Sequence, residues 1–117
     1  MTSGPERRLT DRIIKSLDAM RRNGDPIYWV KLAGHGRQRS GLPDLHVTVD
    51  GISLWVEIKT EAGTVSAPQE IELGRWAAAG ALSFVARSAE DVERAVWSVL
   101  TRPFREESRA RFKPEER

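Results

Sequence analysis

The residues from Gly41 to Thr60 read GLPDLHVTVDGISLWVEIKT, and the rest of the chain is arranged around them. Asp50-Gly51, in the middle, predicts a two-residue turn, because a type I′ turn needs positive φ at both central positions. Apolar and polar residues alternate on both sides of the turn, as in two half-buried strands. The stretch therefore predicts a β-hairpin whose register is fixed by the turn.

This register gives the hairpin two different faces. Counting outward from the turn pairs Val49 with Ile52, and side chains then alternate between the faces at every step. The first face is wholly apolar and is predicted to be core; it carries Leu45, Val47, Val49, Ile52, Leu54, Val56 and Ile58. The second face carries Asp44, His46, Thr48, Ser53, Trp55, Glu57 and Lys59.

The second face places two carboxylates opposite each other at the open end of the hairpin. Asp44 faces Glu57, with Cβ atoms roughly 5 Å apart, and such like charges are destabilising unless something positive lies between them. Magnesium prefers oxygen ligands and keeps several waters. The pair therefore predicts a divalent-metal site, to which the backbone carbonyl of Ile58 could add a ligand. Lys59 could orient an attacking water or stabilise a transition state there.

Composition indicates one soluble globular domain. The chain has 117 residues, of which 39% are hydrophobic and 31% are charged. It has no apolar run near 18 residues and no signal-peptide core, so we expect no membrane contact. The absence of cysteine excludes disulfides and fits a cytoplasmic protein. A net charge of +2 with clustered arginines is compatible with nucleic-acid binding.

Helix signals stand on both sides of the hairpin. Residues 3–23 are predicted to form a first helix, with Ser3 as N-cap and Glu6 completing a capping box. A second helix is predicted to begin after Ser66, with Gln69 in the same capping-box position. A third helix follows Ser88.

Strands are predicted at residues 27–32 and 81–87 in addition to the hairpin. The order is then α-β-β-β-α-β-α. Because a helix connects the third and fourth strands, these two should run parallel, whereas the hairpin strands are antiparallel. We expect an α/β fold: a mixed β-sheet with flanking helices, forming a domain of residues 1–101 with a charged tail over 102–117.

A basic loop precedes the hairpin. Residues 33–42 contain His35, Arg37 and Arg39 among several glycines and no acid. Such a loop suits backbone phosphates, and an ordinary solvated loop is the alternative. These three residues, with Lys31 at the end of the preceding strand, are the predicted nucleic-acid contacts.

Four sequence elements together resemble the PD-(D/E)XK nucleases, and among them a small stand-alone VRR-NUC domain. They are the G-x-P-D-L element at residues 41–45, the E-x-K at 57–59, the S-x-x-Q at 66–69 and a glutamate near the start of the first helix. The resemblance spans roughly residues 6–100 and implies a restriction-endonuclease-like core. It implies that Asp44 and Glu57 bind metal, that Lys59 is the catalytic lysine, and that Gln69 and Glu6 complete the site.

The same resemblance implies magnesium-dependent, or manganese-dependent, cleavage of DNA phosphodiester bonds. The stand-alone members resemble structure-specific endonucleases of DNA repair that act as homodimers on branched DNA such as Holliday junctions. Two alternatives stay open: a nucleic-acid-binding module without activity, and a subunit that cuts only with a partner.

Several of these residues also have a structural interpretation. Glu6 and Gln69 each lie where a capping-box side chain bonds back to its N-cap, and Asp11 is a weaker candidate for the acid of the first helix. His46 is predicted to be hydrogen-bonded beside Trp55, which we expect the first helix to cover. The remaining tryptophans are predicted to fill the core or an interface; they are Trp29, Trp76 and Trp97.

Overall fold

A computed structural model describes residues 4–32 and 40–103 of the chain. Within them, three helices and four strands follow the predicted order, which confirms the α/β class. The elements are α1 (Pro5–Arg22), β1 (Ile27–Lys31), β2 (Leu45–Val49), β3 (Ile52–Ile58), α2 (Ala67–Ala78), β4 (Leu82–Ala86) and α3 (Ala89–Leu100). None of the described helices is long and apolar enough to cross a membrane.

The hairpin around Asp50-Gly51 is the centre of the sheet, and its predicted register is confirmed. Asp50 has φ of 47° and Gly51 has φ of 84°, as the turn requires. Val49 pairs with Ile52, and the ladder continues to the last pair, Leu45 with Val56. The strand order is β1-β2-β3-β4, with β3 and β4 parallel and the other neighbours antiparallel.

The two faces of the sheet are covered by different helices. The apolar face of the hairpin packs against α1 and α3, which contribute buried residues such as Leu9, Ile13 and Val96 to one core. The other face packs against α2, where Trp76 stacks on Trp55 with ring centroids 4.0 Å apart. The prediction that the first helix covers Trp55 is therefore wrong, because α1 lies on the opposite face.

Helix α1 begins differently from the prediction. Gly4 is its N-cap, and no side-chain cap hydrogen bond forms in the described part of the chain. Pro5 starts the helix because its fixed φ suits the first helical position, so the residue before it becomes the cap. Gly4 thus takes the N-cap position that was predicted for Ser3, and Ser3 itself lies outside the described residues. The predicted N-caps Ser66 and Ser88 are confirmed.

The end of α3 is fastened to the hairpin turn. Arg102, the first residue of the predicted tail, donates a hydrogen bond from Nη2 to the backbone oxygen of Asp50 at 2.8 Å. Its Nη1 donates to the oxygen of Val99 at 2.7 Å and lies 3.6 Å from Oδ2 of Asp50. Residues 104–117 lie outside the described part of the chain.

Candidate active site

The open end of the hairpin brings Asp44 and Glu57 together. Asp44 directly precedes β2, and Glu57 lies on β3 one step beyond Val56, the partner of Leu45 at the open end of the ladder. Oδ2 of Asp44 accepts a hydrogen bond from the backbone N–H of Ile58 at 2.7 Å. This bond ties the Asp44 carboxylate to the strand that carries its partner.

The Glu57 carboxyl group is buried, with 2% of the residue exposed. Its Oε2 accepts a hydrogen bond from Nε2 of Gln69 at 3.0 Å and lies 3.8 Å from Nζ of Lys59. Its Oε1 has no hydrogen-bond partner among the described residues, although it is fully buried. A buried polar atom without a partner is costly, so this oxygen is poised for a proton or a cation.

The environment favours the protonated form of Glu57. Burial is the main cause that raises its pKa to about 8, and the negative charge of Asp44 and a hydrogen bond with it add to the rise. A hydrogen bond between the two carboxyl groups requires a proton on one of them, so it is absent when both are ionised, and Oε1 of Glu57 then has no partner among the described residues. Glu6 raises the pKa slightly further, and Lys59 lowers it.

Gln69 serves the helix and the site at once. Its Oε1 accepts a hydrogen bond from the N–H of Ser66 at 2.9 Å, and its own N–H donates to Oγ of Ser66 at 3.3 Å. The capping box predicted at α2 is thus confirmed. Because the amide has both an oxygen and an NH₂ group, Nε2 remains available for Glu57. The capping box therefore orients the donor toward the carboxylate.

The oxygen atoms at this end of the sheet fit a hard divalent cation. Asp44 and Glu57 offer carboxylates, and the unpartnered Oε1 of Glu57 would gain the partner it lacks. In the described ranges no cluster of three or more His, Cys, Asp or Glu residues could hold a metal. A cation here would accordingly be bound by two carboxylates and would keep several waters, as magnesium does.

Aromatic rings line the same face beside Glu57. His46 stacks on Trp55 with ring centroids 4.4 Å apart, and its Nε2 lies 2.7 Å from Oγ of Ser53. The hydrogen-bonded role predicted for His46 is confirmed. Burial lowers the pKa of His46, so the neutral ring is favoured. The stack of His46, Trp55 and Trp76 gives Glu57 an apolar neighbourhood on its own face.

The other predicted site residues lie farther out. Glu6 is exposed in the first turn of α1, where its charge still reaches Glu57. Lys31 is exposed and pairs with Leu45, so it projects from the face of the sheet opposite Glu57. His35, Arg37 and Arg39 lie outside the described residues.

Gly41 has a packing role that its place in the motif did not reveal. Its φ is +87°, and a Cβ atom there would lie 2.4 Å from the backbone oxygen of Pro68 and 2.9 Å from the nitrogen of Gln69. The chain before Asp44 thus touches the first turn of α2. Sequence reasoning missed this contact because it joins segments that are distant in sequence.

Arg87 is a second residue that the sequence analysis missed. Its Nη1 donates hydrogen bonds to the backbone oxygens of Thr60, Glu61 and Gly63, at 2.6, 3.3 and 2.8 Å. A signal for it existed: β3 and β4 are parallel, so the residues that follow them emerge at the same end of the sheet. Arg87 fixes the loop that follows Lys59.

Two solved structures share this fold. One, a "VRR_NUC domain", is 28% identical to this chain, with a TM-score of 0.65, and the match covers 81% of this chain and 97% of that one. The chain folds as a VRR-NUC domain. A second structure, a "VRR_NUC domain protein", has a TM-score of 0.67 at 17% identity and covers 84% of this chain and 89% of its own. No family model and no curated protein matches the sequence.

The VRR-NUC assignment confirms the resemblance drawn from the sequence elements. In this chain the G-x-P-D-L, E-x-K and S-x-x-Q elements meet at the carboxyl group of Glu57, through Asp44, Lys59 and Gln69. Its structural neighbours indicate a nuclease-type domain.

Proposed function

We propose that this VRR-NUC domain is an endonuclease that hydrolyses DNA phosphodiester bonds with magnesium, for which manganese can substitute. The observation that carries the proposal is the buried Oε1 of Glu57, which lacks a partner in the described residues and belongs to a carboxyl group paired with Asp44. A site built only for stability would place an apolar or amide side chain there, because a buried carboxyl pair is costly.

Asp44 and Glu57 would hold the cation, with the backbone carbonyl of Ile58 as a third ligand. When bound, the cation supplies a Lewis acid that activates water and offsets negative charge on the phosphate. Gln69 keeps the Glu57 carboxylate in place through its 3.0 Å hydrogen bond. The bond of Asp44 to the Ile58 amide does the same for the other carboxylate.

Lys59 supplies a fixed positive charge beside the carboxylates. Its Nζ lies 3.8 Å from Oε2 of Glu57, and 18% of the side chain is exposed, so it can meet a substrate phosphate. There the ammonium group would stabilise the negative charge that develops during hydrolysis. Water adds to phosphorus, the bond to the 3′ oxygen breaks, and the products carry a 5′-phosphate and a 3′-hydroxyl.

Substitution of Lys59 by alanine tests the catalytic assignment. We expect cleavage of DNA in magnesium to fall by about 10²-fold or more, because a charge aimed at the transition state is lost. The affinity of this variant for DNA in EDTA should change much less than its cleavage rate. Lys15→Ala, which removes an exposed lysine from α1, should cut like the wild type. Equal cleavage rates for the wild type and Lys59→Ala would contradict the role.

We further propose that the substrate is branched DNA and that the active form is a homodimer, as the family resemblance suggests. The described part of the chain contains one such carboxylate pair, which supports the second part, since cutting both strands of a junction would then need two copies. Phosphate contacts would come from Lys31 and from the loop with His35, Arg37 and Arg39, so recognition would follow shape rather than base sequence.

A panel of flap, nicked, Holliday-junction and single-stranded substrates tests the substrate class, and light scattering measures the oligomeric state. Faster cutting of branched than of linear DNA, by a dimer, is expected. DNA binding without cleavage of any substrate would favour the inactive nucleic-acid-binding module. Cleavage that begins only after another protein is added would favour the partner-dependent subunit.

A further inference from the structure

A cleft of about 330 Å³ opens between the start of α1 and the loop that follows β3. Among the described residues, its lining includes three arginines, Arg8, Arg12 and Arg87, and a single acidic residue, Glu61. The cleft is distinct from the carboxyl pair, because neither Asp44 nor Glu57 lines it. An open cavity with a positive excess suits an anion.

Two of the arginines come from one face of α1. Arg8 and Arg12 are four residues apart, so they are neighbours on the helix surface, and both are exposed. The Arg12 guanidinium has no hydrogen-bond or ion-pair partner within residues 4–32 and 40–103. It can therefore bind a ligand without breaking a contact that the structure shows.

The third arginine is held rigidly at the opposite wall. One nitrogen of Arg87, Nη1, donates hydrogen bonds to the backbone oxygens of Thr60, Glu61 and Gly63. Its Nε and Nη2 make no hydrogen bond in the described part of the chain. A guanidinium group that is already oriented loses little freedom when it binds, and its planar fork matches the oxygens of a phosphate.

The cleft is adjacent in the chain to the proposed active site. Thr60, in its wall, directly follows Lys59, and the backbone N–H of Lys59 donates to the oxygen of Ala86 at 3.1 Å. Arg87 follows Ala86 in turn, so the cleft lies at the same end of the sheet as Glu57, around the edge of β3 and β4. A strand cut beside Lys59 would run past it.

We propose that this cleft binds an internal phosphodiester group of the DNA strand, next to the one that is cut. This inference rests on the proposed function for its substrate, but it concerns binding and not cleavage. Glu61 limits the positive excess, which suits one singly charged phosphodiester better than a cluster of phosphates. The cleft would hold the strand in register while Lys59 meets the reacting phosphate.

The salt dependence of DNA binding in EDTA tests this inference. The probe is a fluorescein-labelled 20-base-pair duplex, measured by fluorescence anisotropy from 50 to 200 mM NaCl. In Arg12→Gln, the slope of log affinity against log salt should be smaller in magnitude by about 0.9, because one phosphate contact is lost. Arg22→Gln is the matched control: an exposed arginine of the same helix, about 15 Å away along its axis.

Equal slopes for the wild type and Arg12→Gln, or an equal loss in Arg22→Gln, would overturn the inference. A loss seen only with 5′-phosphorylated DNA would overturn it as well, because the ligand would then be a terminal phosphate. Arg87→Lys, which keeps the charge and loses the fork, should weaken binding with little change of slope. If the variants show these slopes but the protein never cuts DNA, the proposed nuclease activity is refuted and the inference of phosphate binding in the cleft still holds.

Discussion

At Glu57, the requirements of stability and of cation binding conflict. The residue is 2% exposed, its Oε1 has no partner in the described residues, and burial with the charge of Asp44 raises its pKa to about 8. Without a cation the site therefore keeps a proton at neutral pH. With a cation it must release that proton, so binding, stability and pH are linked at this single side chain.

The first consequence concerns the metal-free protein. The pKa of Glu57 in the folded state lies above its ordinary value of 4.5, so the folded state binds the proton more tightly than the unfolded state. Its contribution to stability is complete below about pH 4.5 and is lost as pH rises to about 8. In EDTA, the free energy of unfolding should fall across this window, by at most about 1.4 kcal/mol per pH unit from this group.

Urea unfolding of the wild type and Glu57→Gln at several pH values from 5 to 8 measures this loss. The difference between the two proteins isolates Glu57, because His46, whose lowered pKa acts in the opposite direction, is present in both. Glu70→Gln, at an exposed position of α2, is the control and should follow the wild type. If Glu57→Gln shows the same pH dependence as the wild type, Glu57 is not the group responsible.

The second consequence is that magnesium uptake should release a proton. Between about pH 6 and 7, where Glu57 holds its proton, close to one proton should leave for each ion bound. Apparent affinity should rise up to tenfold per pH unit and level off near pH 8. Calorimetry in two buffers of different ionisation enthalpy counts the protons. Affinity that is independent of pH would argue against cation binding at Glu57.

At the scale of elements, the site depends on how the segment before β2 meets α2. Gly41 touches the first turn of α2, and that turn carries Gln69, which holds Glu57. Asp44 lies only three residues after Gly41. The contact of Gly41 with α2 therefore sets the distance between the Asp44 carboxylate and the Gln69 amide, which in turn holds the Glu57 carboxylate.

Gly41→Ala should damage both stability and cleavage. Positive φ costs a non-glycine residue about 1–2 kcal/mol, and the new methyl group would also force Pro68 away. We expect cleavage to fall about tenfold or more, because Gln69 moves with that turn. Gly24→Ala is the control: its φ is +100° but nothing lies within 4 Å of the added Cβ, so it should lose stability alone. Urea unfolding and cleavage rates compare the two, and full activity of Gly41→Ala would contradict this account.

At the scale of the whole molecule, the core and the hairpin turn are joined by Arg102. It binds Asp50, which is 4% exposed, at the end of the sheet away from Glu57. Arg102→Ala should lower the free energy of unfolding by about 1–2 kcal/mol and leave cleavage unchanged. Arg94→Ala, which removes an exposed ion pair with Asp91, should cost less than 1 kcal/mol. Equal losses in thermal unfolding would show that Arg102 contributes no more than a surface contact.

The parts of this molecule that could be predicted are those set by local pattern. The turn at Asp50-Gly51 fixed the register of β2 and β3, and with it the opposition of Asp44 and Glu57. Which helix covers which face depends on contacts between distant segments, so the cover of Trp55 was predicted wrongly. For the same reason the packing of Gly41 and the bonds of Arg87 were not foreseen.

Strand β1 is one edge of the sheet, and α2 packs mainly against β3 and β4. Tyr28 and Val30 are therefore 68% and 48% exposed on that side. An edge strand with open backbone groups and apolar side chains can pair with a second chain and begin aggregation. The short length of β1 and the charge of Lys31 at its end are the usual protections against this. Lys31 thus also bears on how concentrated the protein can become before it associates through this edge.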